Sequence, residues 1–250
     1  MSATKPLMIS AGVALAAVTL GLLSWQATAP GEAAAPTGST AAPAAPADEG
    51  LLALARRDAG DRLAQGRADA PVVMIEYADF KCGYCGKFAR DTEPALVDKY
   101  VKDGTLRIEW RNYPIFGADS EAAAKAAWAA GQQGRFWQFH AAAYAEGSKE
   151  KGFGDARLAE LAQQAGVPDA ARFARDMKSP AAEAALHKDQ EEAYKIGVSS
   201  TPSFLVNGQP IAGAQPPAAF EHAIETAKAR AAGAGTAPGK NGQGRNGQGS

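Results

Sequence analysis

Apolar positions along this chain fall into short β-branched runs and longer stretches with helical spacing. Val72-Val73-Met74-Ile75-Glu76-Tyr77-Ala78, entered through Pro71, predicts a buried strand. Thr105–Tyr113, ending at Pro114, predicts a second strand, and residues 61–66 a short edge strand. Leu51–Arg57 predicts a small helix. Gly86–Tyr100 has helical spacing, with Phe88, Ala89, Leu96, Val97 and Tyr100 available for one face and Pro94 placed to kink it. Residues 119–146 are strongly helical and supply Trp128, Phe136, Trp137, Phe139 and Tyr144 as core bulk; Gly131 and Gly134 divide them into two helices. Further helices are predicted over Asp155–Ala165, stopped at Gly166, and over residues 168–178 and 180–195. Ser203–Val206 and Gln209–Ile211 flank Asn207-Gly208, a strong hairpin signal. Pro217–Ala231 predicts a final helix.

The two ends read differently. Leu7–Trp25 is a weakly polar to apolar run, just long enough to span a bilayer as a helix of ~20 residues. A retained anchor and a cleaved signal peptide both fit it. Ala27-Thr28-Ala29 has the small-x-small pattern of a cleavage site, but Pro30 follows and favours the anchor. Either outcome exports the rest of the chain, and Lys5 favours a cytoplasmic N-terminus. Residues 1–29 are therefore expected to be a membrane anchor or signal segment, and residues 30–49 a disordered Ala/Pro linker. Residues 50–231 should form the folded domain, and residues 232–250 a disordered Gly/Asn-rich tail.

A length of 250 residues allows one or two domains. A net charge of −1 gives no electrostatic case for nucleic acid, and none is expected as a partner. Cys82 and Cys85 are the only cysteines. One pair at most points to chemistry rather than to a disulfide scaffold. A thiolate, not a thiol, attacks a disulfide. With Cys82 at the start of a helix, the unpaired amides and the helix dipole favour its anion, where an incoming peptide can reach it. Cys85 then sits one turn below, placed to close the disulfide or to resolve a mixed one. A structural bridge or half a metal site are the bland alternatives. Zinc needs two more ligands, no second cysteine pair exists, and His140 and His187 stand isolated, each expected to be a satisfied helix residue. A strand, a C-x-x-C at a helix start, then another strand is the context in which this motif means redox.

Phe80–Phe88 with the strand before it, and Gly197–Gly208, resemble the thioredoxin superfamily. With a helical block between the two halves of the core, the likeness is to the exported DsbA-like thiol-disulfide oxidoreductases, over about residues 50–230. The resemblance implies an α/β thioredoxin fold with an inserted α-helical subdomain at about residues 118–195. It puts the nucleophile on Cys82 and the resolving thiol on Cys85, together a redox-active disulfide. It puts the cis-proline loop on Thr201-Pro202, where the residue before the proline pairs with a client peptide as an added strand. It also puts a buried proton acceptor at Glu76, six residues before the nucleophile; such a carboxylate should have a raised pKa suited to general-base work. The alternative is that Glu76 pairs with a lysine or points to solvent.

Gly83-Tyr84 and Thr201 resemble the disulfide isomerases of the same superfamily rather than its best-known oxidases, and Tyr84 also suits a client-binding surface. Those isomerases dimerise through a folded N-terminal domain. Residues 30–49 are too short and polar to supply one, which weighs against that likeness; a monomer is expected. Lys81 and Lys87 flank the site, where they could favour the thiolate or stand as solvated surface charges, the latter preferred. No cofactor or metal is implied. The implied partners are exported cysteine-containing clients, a membrane redox partner that the sequence does not identify, and the membrane itself through the N-terminal segment. Three functions fit: disulfide formation, isomerisation or reduction at the same site, and a non-enzymatic peptide-binding module with a structural disulfide.

Overall fold

The strands β1 (Ala64–Gln65), β2 (Val72–Ala78), β3 (Leu106–Asn112), β4 (Ser203–Val206) and β5 (Gln209–Ala212) form one sheet ordered β1-β3-β2-β4-β5. The computed structural model describes residues 49–235. The expected anchor or signal segment, the linker up to residue 48 and the tail beyond residue 235 lie outside the described residues. Strands β2 and β3 are parallel, and the others join antiparallel. Every residue of β2 and β3 is buried, because helices cover both faces at the centre of the sheet. Val72 and Met74 face Phe88, Phe220 and Ile224; Val73, Ile75 and Tyr77 face Ala193.

The helices are α1 (Glu49–Leu52), α2 (Gly83–Asp91), α3 (Glu93–Leu96), α4 (Ala118–Gly131), α5 (Phe136–Tyr144), α6 (Asp155–Gln164), α7 (Ala170–Asp176), α8 (Pro180–Lys195) and α9 (Pro217–Gly235). Helices α4 to α8 lie between β3 and β4 in the chain; α4 to α7 form the inserted block, and α8 packs on the sheet through Ala193. Their packing uses small residues: Ala123, Ala126, Ala127 and Ala130 of α4 are fully buried, which lets neighbouring helices approach closely.

Four expectations need correction. The helix expected over Gly86–Tyr100 starts at Gly83 and breaks at Thr92 rather than kinking. Pro94 cannot donate to an α-helical ladder, so it sits in the first turn of the new helix α3; a π-helical turn follows over Val97–Val101. The small helix at Leu51–Arg57 stops at Leu52. Beyond it the amides of Arg56 and Arg57 donate to the Glu109 carboxylate at 3.0 and 2.8 Å, and that tertiary contact replaces helical bonds. The first helix begins at Glu49, inside the expected linker, and α9 runs to Gly235, inside the expected tail. The hairpin is as expected. Asn207 and Gly208 have φ of 44° and 78°, the left-handed pair of a tight hairpin turn. The Asn207 side chain also accepts from the Val73 amide at 2.8 Å, tying the hairpin to β2.

Candidate active site

Strand β2 delivers the chain to Asp79, which shapes the turn into α2. Its carboxylate accepts from the amides of Lys81 at 2.8 Å, Ile115 at 2.7 Å and Phe116 at 3.2 Å. Its carbonyl accepts from the Cys82 amide at 2.9 Å and the Tyr144 hydroxyl at 2.9 Å. Sequence reasoning passed over Asp79. The available signal was an Asp two residues before Lys81 at a strand-to-helix turn, where an Asx turn is favoured.

Cys82 is the N-cap of α2, one place before its first helical residue, and its sulfur accepts from the Cys85 amide at 3.4 Å. Its thiol donates to the Thr201 carbonyl at 3.2 Å, so two stretches 119 residues apart meet at one sulfur. The Thr201–Pro202 bond is cis. The Cys82 thiol is brought down to about 6. The Cys85 thiol hydrogen-bonded to it contributes most; burial opposes; Thr201 and the amides of Cys85 and Tyr84 add to the lowering. Burial, then the Cys82 sulfur, push the Cys85 thiol well above its ordinary range. One sulfur is set to ionise and the other to keep its proton.

Access differs from the expectation. Cys82 is only 4% exposed, because the Thr201 segment lies across it. Gly83 and Tyr84 form the open lip beside it, with Tyr84 68% exposed. Lys81 and Lys87 pair with Asp119 at 3.6 Å and Asp91 at 2.6 Å, so neither supplies a free charge to the sulfur.

Glu76 has no exposed surface, and neither carboxyl oxygen has a hydrogen-bond partner. Burial first, then Glu93 and Cys82, push its carboxyl well above the usual range. The alternative of a lysine partner or of solvent does not hold. His140 is also not the satisfied helix residue expected. It sits among the rings of Phe80, Trp110, Trp137 and Tyr144 with Nε2 buried and unpartnered. Burial lowers it to about 3, so it is neutral.

Glu76 gives a pH-dependent stability. The folded state keeps a proton that the unfolded chain releases above the ordinary carboxylate range, so stability falls as pH rises. Glu76→Gln removes that loss. The reduced variant should be more stable than the reduced wild type by about 1–3 kcal/mol at pH 8, with the gap closing near pH 4. Urea unfolding across this range measures it; a gap independent of pH would contradict a buried titrating carboxyl.

The family model described as thioredoxin matches residues 58–226. The chain belongs to the thioredoxin family. Within that family it is similar to the probable disulfide bond formation protein D of Bacillus cereus, 30% identical over 148 residues, which cover 57% of this chain and 68% of that protein. It is also 33% identical over 147 residues to the Na(+)/H(+) antiporter NhaA 3 of Salinispora tropica; the match covers 58% of this chain and 21% of the antiporter, about a fifth of its length. Oxidised BdbD from Bacillus subtilis shares the fold, with a TM-score of 0.63 at 22% identity over 68% of this chain and 94% of that one. The thioredoxin-family core here is the sheet with α2, α8 and α9, and the inserted helices close over the Cys82–Cys85 end. Among the described residues, no helix is long and apolar enough to cross a membrane.

Proposed function

We propose that this chain is a protein thiol–disulfide oxidoreductase that forms disulfides in exported proteins through Cys82 and Cys85. The observation that carries the reading is the single sulfur that caps α2, accepts the Cys85 amide and meets the Thr201 carbonyl. The name of the Bacillus cereus relative supports the same chemistry. A client thiolate attacks the Cys82 sulfur of the Cys82–Cys85 disulfide. The client–Cys82 bond forms, and Cys85 leaves as a thiolate that takes a proton from Glu76. The client's second thiolate then attacks the client sulfur, and Cys82 leaves as its stabilised thiolate. Two electrons have passed from client to enzyme, and a membrane redox partner removes them. Gly83, Tyr84, Thr201 and Pro202 hold the client, with the Thr201 backbone pairing to it as a strand. A membrane anchor at residues 1–29 would keep the domain on the extracytoplasmic side.

Isomerisation or reduction at the same site is the second reading, favoured by Gly83-Tyr84. Redox equilibration with glutathione separates the two. Stabilisation of the reduced form through the Cys82 thiolate makes a pair more oxidising, so a poise well above thioredoxin's ~ −270 mV is expected. A value near that figure would assign reduction instead. On the same reduced protein, thiolate absorbance should titrate with a midpoint of about 6, leaving ~90% of Cys82 ionised at pH 7. A midpoint near the ordinary cysteine value would remove the basis for either direction.

A further inference from the structure

A stripe of polar groups runs beneath α2 between two apolar clusters. Glu76 of β2 stands at its inner end. Glu93, the first residue of α3, accepts from the Gln65 side-chain amide at 3.0 Å through one carboxyl oxygen. Its other oxygen lies 3.7 Å from His140 Nδ1, beyond a direct hydrogen bond. Trp137 stands next to His140 with ring centroids 5.2 Å apart. Both Glu76 oxygens, His140 Nε2 and Trp137 Nε1 are buried without a partner. Interiors rarely leave such atoms orphaned, and four in one stripe call for a functional reason.

We propose that Glu93 is a second proton-holding carboxyl that serves Cys85 through Glu76, with the proton entering and leaving at the Gln65 edge of the sheet rather than at the client-facing mouth. The inference rests on the thiol–disulfide reading above. Cys85 has no exposed surface, and Glu76 has none. When Cys85 leaves as a thiolate, the Glu76 carboxyl gives it a proton and becomes a carboxylate. That carboxylate has no hydrogen-bond donor, so it must be reprotonated. A client strand laid along Thr201 would cover the mouth. Glu93 stands on the other side, only 6% exposed, next to the half-buried edge residue Gln65. It passes its proton to Glu76 and regains one from water at the edge.

The groups around the two carboxyls agree with this. Cys82 and Cys85 face them from α2, His140 and Tyr144 from α5, and the Gln65 amide from β1. Among the described residues no lysine or arginine pairs with either carboxyl, and the neutral His140 offsets no charge. Burial pushes Glu93 up to about 8 against the lowering effect of the Gln65 hydrogen bond, so it carries a proton at neutral pH. The charge of Glu93 opposes that of Glu76, so the two carboxyls share one charge rather than ionise together.

Glu93→Gln in the full chain tests the proposal. Reduction of the Cys82–Cys85 disulfide by dithiothreitol should slow about tenfold at pH 7, less than the ~100-fold of a direct proton donor. The inflection near pH 8 should vanish from the rate profile, while the Cys82 thiolate midpoint stays in place. An active wild type with an unaltered Glu93→Gln profile overturns the proposal alone. A wild type without exchange activity sinks the functional reading and the proposal together. Carbon-13 titration of the wild-type carboxyls does not depend on the variant folding. The Glu93 midpoint should differ between the oxidised and reduced protein, and an unchanged midpoint overturns the relay.

Discussion

Cys82→Ser will lose thiol–disulfide exchange by on the order of a thousandfold or more, without loosening the fold. A serine hydroxyl does not ionise near neutral pH, and oxygen cannot form the mixed disulfide. Serine is nevertheless among the best N-cap residues, and position 82 is the N-cap of α2 with its side chain already accepting the Cys85 amide. Stability and activity should therefore part company. Cys85→Ser separates the two sulfurs' roles. Its Cys82 thiolate still attacks a client disulfide, but no Cys85 thiol remains to attack Cys82 and release the client. The variant should accumulate a Cys82–client adduct, visible as a reducible band on non-reducing gels. Full biological activity from Cys82→Ser would favour the peptide-binding module with a structural bridge. No adduct from Cys85→Ser would place the attacking sulfur elsewhere.

Glu109→Ala should cost about 3–5 kcal/mol of stability at pH 7, the penalty for leaving buried charge uncompensated. Glu109 has no exposed surface. It accepts from Arg107 at 2.9 Å, Arg111 at 2.8 Å and the amides of Arg56 and Arg57 at 3.0 and 2.8 Å. Arg111 continues to Glu192 at 2.9 Å, and Arg56 to Asp189 at 2.8 Å. One carboxylate therefore joins the N-terminal segment, β3 and, through those arginines, α8. Burial alone would raise its pKa. The hydrogen bonds and charge of Arg111, then Arg107 and the Arg56 amide, hold it at about 2 instead. A carboxyl depressed in the folded state stabilises above its unfolded pKa, and that stabilisation disappears as pH falls toward 2. The deficit of Glu109→Ala in denaturant unfolding should accordingly shrink between about pH 4.5 and pH 2. A deficit under about 1 kcal/mol at pH 7 would mean the network is replaceable, as some buried ion pairs are.

Most of the elements, and the Cys82–Cys85 pair as a candidate for the chemistry, are legible along the chain. The apolar run at Val72–Ala78, the glycine break between α4 and α5 and the Asn207-Gly208 turn are local signals, and local sterics and burial decide them. The two-residue spacing of Cys82 and Cys85 is likewise local, since it follows from the pitch of one helix. Thr201-Pro202 was legible only through resemblance, because nothing near it in the chain marks it as a partner of Cys82. The tertiary structure alone decided what depends on residues far apart. Glu76 is an orphan because β3, β4 and α2 all close around it. Glu93 and His140 become neighbours because Pro94 restarts a helix opposite α5. Arg56 and Arg57 leave the helix because Glu109 waits for their amides. Charge, desolvation and proton sharing are properties of the assembled surroundings, and no pattern of neighbours in the chain contains them.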